Sequence, residues 1–186
     1  KLLLGLDYAE FLTGKEDEIE EFILSFIRER VAQRIATITK RHDIIDAVVN
    51  SHTSSIPEQL KAAKVLSAVS ESEEFKGITE ALNRVINISA KAQDDASGEI
   101  LEDRLETASE RTLVKAIKEL HSKVQTLTPE ELYSHLEALA PKINDFFNEN
   151  MVMVDDEAVR RNRLRFLGLL SQIILDFADF TSLIVK

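Results

Sequence analysis

Apolar residues recur at intervals of three and four along nearly the whole chain, the period of an α-helix that buries one stripe. The spacing is continuous in Ile19, Phe22, Ile23, Phe26, Ile27 and Val31. It returns in Leu60, Ala63 and Leu66, in Phe75, Ile78, Leu82, Val85 and Ile86, in Leu113, Ala116, Ile117, Leu120 and Val124, and in Leu164, Leu167, Leu170, Ile174 and Phe177. With 5 Gly and 3 Pro in 186 residues, little interrupts the pattern. The expected fold is all-α, a helical bundle of about seven helices.

Local start and stop signals divide that pattern. Thr13 with Glu16 and Ser55 with Glu58 read as capping boxes, the second with Pro57 near the first helical position. Thr128-Pro129-Glu130-Glu131 opens another helix, and Asp155 or Asp156 caps the last. A short helix is expected near Asp43 to Val49. A further helix should start near Ser72 and stop before the loop-like Gln93 to Gly98, and a long one should then carry Leu101, Leu105 and the residues after them. Pro141 is expected to break or kink its helix. Met151-Val152-Met153-Val154 alternates like a strand but is too short to carry a sheet, so it reads as an extended, buried crossover.

The 23 Lys and Arg stand against 33 Asp and Glu, a net charge of −10, which argues against an overall electrostatic grip on duplex nucleic acid and leaves only local basic patches. There is no Cys, hence neither disulfides nor a thiolate zinc site. Asp176 and Asp179 interrupt the C-terminal apolar stretch, so no run approaches the ~20 residues of a membrane span. Leu2-Leu3-Leu4 is followed at once by Asp7 and Glu10, unlike a leader peptide. The expectation is a cytoplasmic chain with no membrane partner. Residues 1–15 are expected to be the remnant of an upstream linker and 16–186 a single helical domain, with early helices over 16–70 and a core bundle over 72–186.

Catalytic constellations are not found. His42, His52, His121 and His135 form no metal-binding pair, and His42-Asp43 lacks the further ligands of a metal phosphohydrolase. There is no Gly-rich phosphate loop and no nucleophile elbow, so catalytic, metal and cofactor-binding residues are all expected to be none. The carboxylates from Glu16 to Glu21 read as a solvated helix start.

One stretch is more specific than any periodicity. Asp145-Phe146-Phe147-Asn148-Glu149-Asn150-Met151-Val152-Met153-Val154-Asp155-Asp156, followed by Val159-Arg160-Arg161-Asn162-Arg163-Leu164 and later by Ala178-Asp179-Phe180, resembles the C-terminal region of the beta subunit of bacterial heterotetrameric glycyl-tRNA synthetase. Phe26 to Val31, Asp43 to Val48, and Glu80 to Ile88 with Lys91 agree in order, although Asn83 stands where that family usually has Lys. The resemblance implies the DALR-type anticodon-binding fold shared with arginyl- and cysteinyl-tRNA synthetases. It further implies a module that binds the anticodon stem-loop of glycine-specific tRNA, with the alpha subunit of the heterotetramer carrying the chemistry that uses ATP and magnesium. The corresponding domain of an arginyl-tRNA synthetase and a helical protein-interaction scaffold are the alternatives.

Under that resemblance the basic residues sort by helical angle. Arg84, Asn87 and Lys91 project within about 60° of one another, opposite the apolar set of their helix. Arg161 and Arg165 lie away from the apolar face of the last helix with Arg160 on the flank, whereas Arg163 falls among Leu167, Leu170 and Ile174 and should be buried against a carboxylate. Residues 28–41 hold an excess of four positive charges. Within that segment Arg30 lies on the apolar stripe and should be buried, while Arg34 and Arg41 remain RNA candidates. Phe75, Phe146, Phe147 and Phe166 read as core. Glycine anticodons end in two cytosines, whose N4 amino groups suit Asp, Glu or carbonyl acceptors, so an acidic domain can still read them.

Overall fold

The computed structural model describes residues 16–91 and 98–185. Within them the chain forms seven α-helices and no strand: α1 Glu16–Ile35, α2 His42–Val49, α3 Ile56–Val69, α4 Glu74–Ala90, α5 Ala108–Lys123, α6 Pro129–Glu149 and α7 Glu157–Phe177. Short 3₁₀ turns follow at Glu102–Arg104, Val124–Thr126 and Phe180–Ser182.

The stripes read from the sequence become one core. Leu82 and Val85 of α4, Leu113 and Ile117 of α5, Leu136 and Ile143 of α6, and Leu164, Leu167 and Leu170 of α7 are fully buried. The packing of α4 on α7 is the most extensive, with α5 and α6 laid alongside. Phe146 sits among aromatic rings, 5.1 Å from Phe147 and 5.3 Å edge-on from Phe166, and Phe75 is buried as well. The smaller group α1 to α3 is tied to the bundle through the chain's end. Asp179 N–H donates to Ala47 O at 2.8 Å, and His52 N–H to Leu175 O at 2.8 Å.

Helix starts follow side-chain chemistry. Thr128 and Glu131 form the expected capping box on α6, and Asp156 accepts from Ala158 and Val159 N–H at the start of α7. Thr13, and with it the expected box with Glu16, lies outside the described residues. The Ser55 box does not form: Ser55 precedes α3 without a side-chain cap, and Glu58 instead accepts from the Thr53 hydroxyl at 3.1 Å. Helix α4 starts at Glu74, two residues later than Ser72.

Four further expectations are corrected. Leu101 and Leu105 are not helical; they flank a 3₁₀ turn, and the helix begins at Ala108 because Thr107 and Glu110 close a capping box there. Pro141 does not break α6, which runs from Pro129 to Glu149. Its ring is exposed, so the carbonyl it leaves without an amide donor can turn to water, and Lys142 Nζ satisfies the neighbouring Ala138 O at 3.1 Å. The 151–154 segment is only half buried: Val152 points inward at 6% exposure, whereas Met151 and Met153 stand out at 74% and 66%. Arg30 is exposed, its guanidinium 5.0 Å from the Phe26 ring centre and donating to Gln33.

Candidate nucleic-acid interface

Helix α6 ends where Asn150 leaves helical geometry. Both its backbone N–H and its side-chain amide donate to Phe146 O at 2.9 Å, and the amide also reaches Ser109 Oγ at 3.0 Å. Closed in this way, the helix hands the chain to Met151.

From the other side the loop is held by α7. Arg163, 4% exposed, donates to Met151 O at 2.8 Å, to Glu110 at 2.6 Å, to Glu106 at 2.9 Å and to Asn150 Oδ1 at 3.4 Å. The expected buried arginine with a carboxylate partner is therefore present, with two carboxylates in place of one. Arg160 donates to Val154 O at 3.1 Å. Two arginines thus grip the ends of a four-residue loop whose buried Val152 fixes its face, so Met151 and Met153 are presented on a rigid mount.

Beside this loop stands the stripe of α4. Arg84, Asn87 and Lys91 are all exposed, and the Arg84 guanidinium lies 4.1 Å from the centre of the Phe147 ring, one turn before Asn150. That contact orients a cation at the C-terminal end of α6, where the helix dipole also favours positive charge. On α7, Arg161 is half-exposed and bridges Glu157 at 2.5 Å. Arg165 donates to Glu99 O at 3.2 Å across the segment that leads into α5.

That segment is stapled to α7 by Asn162, 1% exposed, which accepts from Leu101 N–H at 2.7 Å and donates to Leu101 O at 2.8 Å. Gly98 adopts φ +105°, and a Cβ there would come within 3.3 Å of the Arg165 guanidinium. The positive φ is what favours glycine here.

The two remaining candidates sit elsewhere. Arg34 is exposed on α1. Arg41 is largely committed inside the fold: it donates to both oxygens of Asp43, to Ser70 O and, at 2.8 Å, to Ile184 O. Asp43 in turn accepts from Ile184 N–H at 2.9 Å. Burial pushes the Asp43 carboxyl up, but the Arg41 and Ile184 hydrogen bonds and the Arg41 charge together hold it below the usual carboxylate range. Arg41 and Asp43 together thus clamp the backbone of Ile184.

Sequence reasoning missed the outward methionines, the Arg84 to Phe147 contact and the Asn162 staple. The methionine placement was legible, since strict alternation with a buried Val152 forces its neighbours outward. The staple was not, because it joins residues 61 positions apart.

These residues fall inside a recognisable unit. A family model for the DALR anticodon binding domain matches residues 78–179, more than half of the chain, from within α4 to just past α7. The chain belongs to the DALR anticodon binding domain family. The methionine loop, its two arginine anchors and the α4 stripe all lie within the DALR match, whereas α1, α2 and α3 lie outside it. Among curated proteins, the chain is 34% identical to a glycine–tRNA ligase beta subunit of Limosilactobacillus fermentum over 98% of its own length and 25% of that protein. It is 37% identical to the Lacticaseibacillus casei beta subunit over 87% of its length and 23% of that protein, and 32% identical to that of Halalkalibacterium halodurans over 97% and 26%. The chain therefore spans about a quarter of the length of these relatives. No described helix is long and apolar enough to cross a membrane.

Proposed function

We propose that this chain is the anticodon-binding module of a glycine–tRNA ligase beta subunit, cytoplasmic, with residues 16–186 as its helical unit. The observation that carries this reading is similarity to beta subunits along 97–98% of the chain, reaching well outside the DALR match. The module holds the anticodon stem-loop of glycine-specific tRNA, while the alpha subunit of a heterotetramer performs the aminoacylation with ATP and magnesium.

Its own chemistry is recognition. Met151 and Met153 offer polarizable, apolar surfaces on which unstacked loop bases can lie. Arg84 and Lys91 face phosphates at one edge, with Asn87 able to bond a base or a ribose, and Arg160, Arg161 and Arg165 serve at the other. Arg34 and Arg41 are at most peripheral, and Arg41 contributes only through whatever part of its fork the clamp leaves open. Nearby carboxylates supply acceptors for the cytosine amino groups.

The test is binding of the chain to glycine tRNA and to the same tRNA with both anticodon cytosines replaced, across a salt series. A preference for the cytosines, with affinity falling as salt rises, supports the reading. No binding to either tRNA even at low salt overturns it in favour of a protein-interaction scaffold.

A further inference from the structure

The first half of α1 stands clear of its own bundle. Every residue from 20 to 30 is exposed, including Phe22 at 70%, Phe26 at 50%, Leu24 at 44%, Ile27 at 42% and Ile23 at 38%. This is not the edge of the stripe that α1 buries at home. With about 100° per residue and Phe22 as origin, the buried Val31 and Ile35 project near 180° and 220°, whereas Phe22, Phe26 and Ile23 project near 0°, 40° and 100°. The helix has a second apolar face, turned away from the domain that anchors it. A helix apolar around that much of its circumference belongs inside a core. At its root, Leu24, Ile27 and Val31 line a cleft of about 620 Å³ with Val49, Ile56 and Gln59, open to the same side chains.

What covers this face follows from two lengths. Beta subunits match the chain across 98–100% of its residues, so α1 is shared with them, yet the DALR match begins only at Ile78. Helix α1 thus falls within the stretch that beta subunits match and outside the anticodon-binding unit. About three quarters of each such subunit lies beyond the matched region. We infer that Phe22, Ile23 and Phe26 dock into the remaining body of a beta subunit, making α1 the mount that fixes the anticodon module to that body. The receiving surface is apolar, with basic groups facing Asp17, Glu18, Glu20 and Glu21 and acidic groups facing Arg28, Arg30 and Arg34 at the other end.

This rests on the beta-subunit reading, and the test separates the two. Phe22→Cys is placed in the 186-residue chain, which has no other cysteine, and in a full-length beta subunit, and maleimide labelling at that peptide is timed by mass spectrometry. Labelling about tenfold or more slower in the full subunit is the expected result. Phe26→Cys provides a second reporter should the first disturb the packing. Equal rates in both proteins for both reporters overturn the docking, and if that subunit still binds glycine tRNA the functional reading survives. Slow labelling of the isolated chain that quickens on dilution overturns it in favour of a second copy as the occupant. A full subunit that binds no glycine tRNA at any salt overturns the reading beneath it.

Discussion

Arg163 Nε donates to Glu110 Oε1 at 2.6 Å between side chains that are 5% and 0% exposed. Glu110 Oε2 meanwhile accepts the N–H groups of Glu106 at 2.6 Å and Thr107 at 2.9 Å, closing the capping box of α5. One carboxylate therefore starts α5 and neutralises the arginine that holds Met151 O. Fold and methionine loop share a single anchor, so the Arg-Asn-Arg-Leu stretch that carries the family resemblance acts chiefly from inside the protein.

Removing half of a buried ion pair leaves the other half uncompensated. Arg163→Ala is expected to lower stability by about 3–5 kcal/mol, read as a shift of the urea midpoint at constant slope. Combining Arg163→Met with Glu110→Gln should recover part of the loss, since no buried charge is then stranded. Equal loss in the single and double variants would locate the cost in packing and not in the pair.

The Asp43 clamp is expected to show as acid sensitivity. Its folded pKa lies below the ordinary 3.8, so near pH 4 the unfolded chain binds more protons and stability falls as acid is added. The contribution is full above about pH 5 and is lost as pH drops through 3.8 toward the folded value. Asp43→Asn should lower stability at pH 7 by about 2 kcal/mol and flatten this part of the profile, seen in urea midpoints between pH 6 and pH 3. A variant profile parallel to that of the parent would dissociate the acid sensitivity from the clamp.

Tyr133 gives the opposite sign at high pH. Its hydroxyl is buried without a hydrogen-bond partner, and burial, with the Glu137 and Glu74 charges, pushes its pKa up to about 12. Because the unfolded phenol ionises near 10, stability should fall as pH rises from 10 toward 12. Tyr133→Phe removes an unsatisfied polar group from the core and should raise stability at pH 7 by about 1 kcal/mol while abolishing that alkaline loss. A drop in melting temperature on this substitution would show that the hydroxyl has a partner.

The all-α fold was legible because helix period, caps and scarce Gly agree at each level. Boundaries failed where competing local chemistry was present. Leu101 and Leu105 continue an apolar pattern, yet Thr107 and Glu110 just beyond them offer a stronger start. Glu58 was equally available to Ser55 and Thr53, and sequence spacing could not choose between them. For the candidate site, angle alone placed Arg84, Asn87 and Lys91 on an exposed face and Arg163 inside. It could not foresee Arg41 turning back onto Ile184, a contact spanning 143 positions. The first helix is the most instructive case, since its period was right and its burial was not: a stripe says that a face will be covered, not by what.

Phosphate contacts and loop presentation should separate in their salt dependence. Arg84→Gln removes a cation from the α4 stripe and its contact with Phe147, while Arg161→Glu reverses charge at the start of α7, where the arginine bridges Glu157. Both variants are expected to stay folded, with Arg84→Gln costing about 1 kcal/mol at most. Each should weaken tRNA binding for native and cytosine-replaced anticodons alike, and Arg84→Gln should reduce the slope of log affinity against log salt by about 0.7 to 0.9. Met151→Ala touches no charge; it should lower affinity for the native anticodon more than for the replaced one and leave the salt slope in place. Filter-binding titrations at four salt concentrations check this. Should Arg161→Glu bind as the parent does while remaining folded, the RNA-facing side of α7 has been assigned to the wrong residues, and a Met151→Ala variant with unaltered discrimination would remove the loop from recognition altogether.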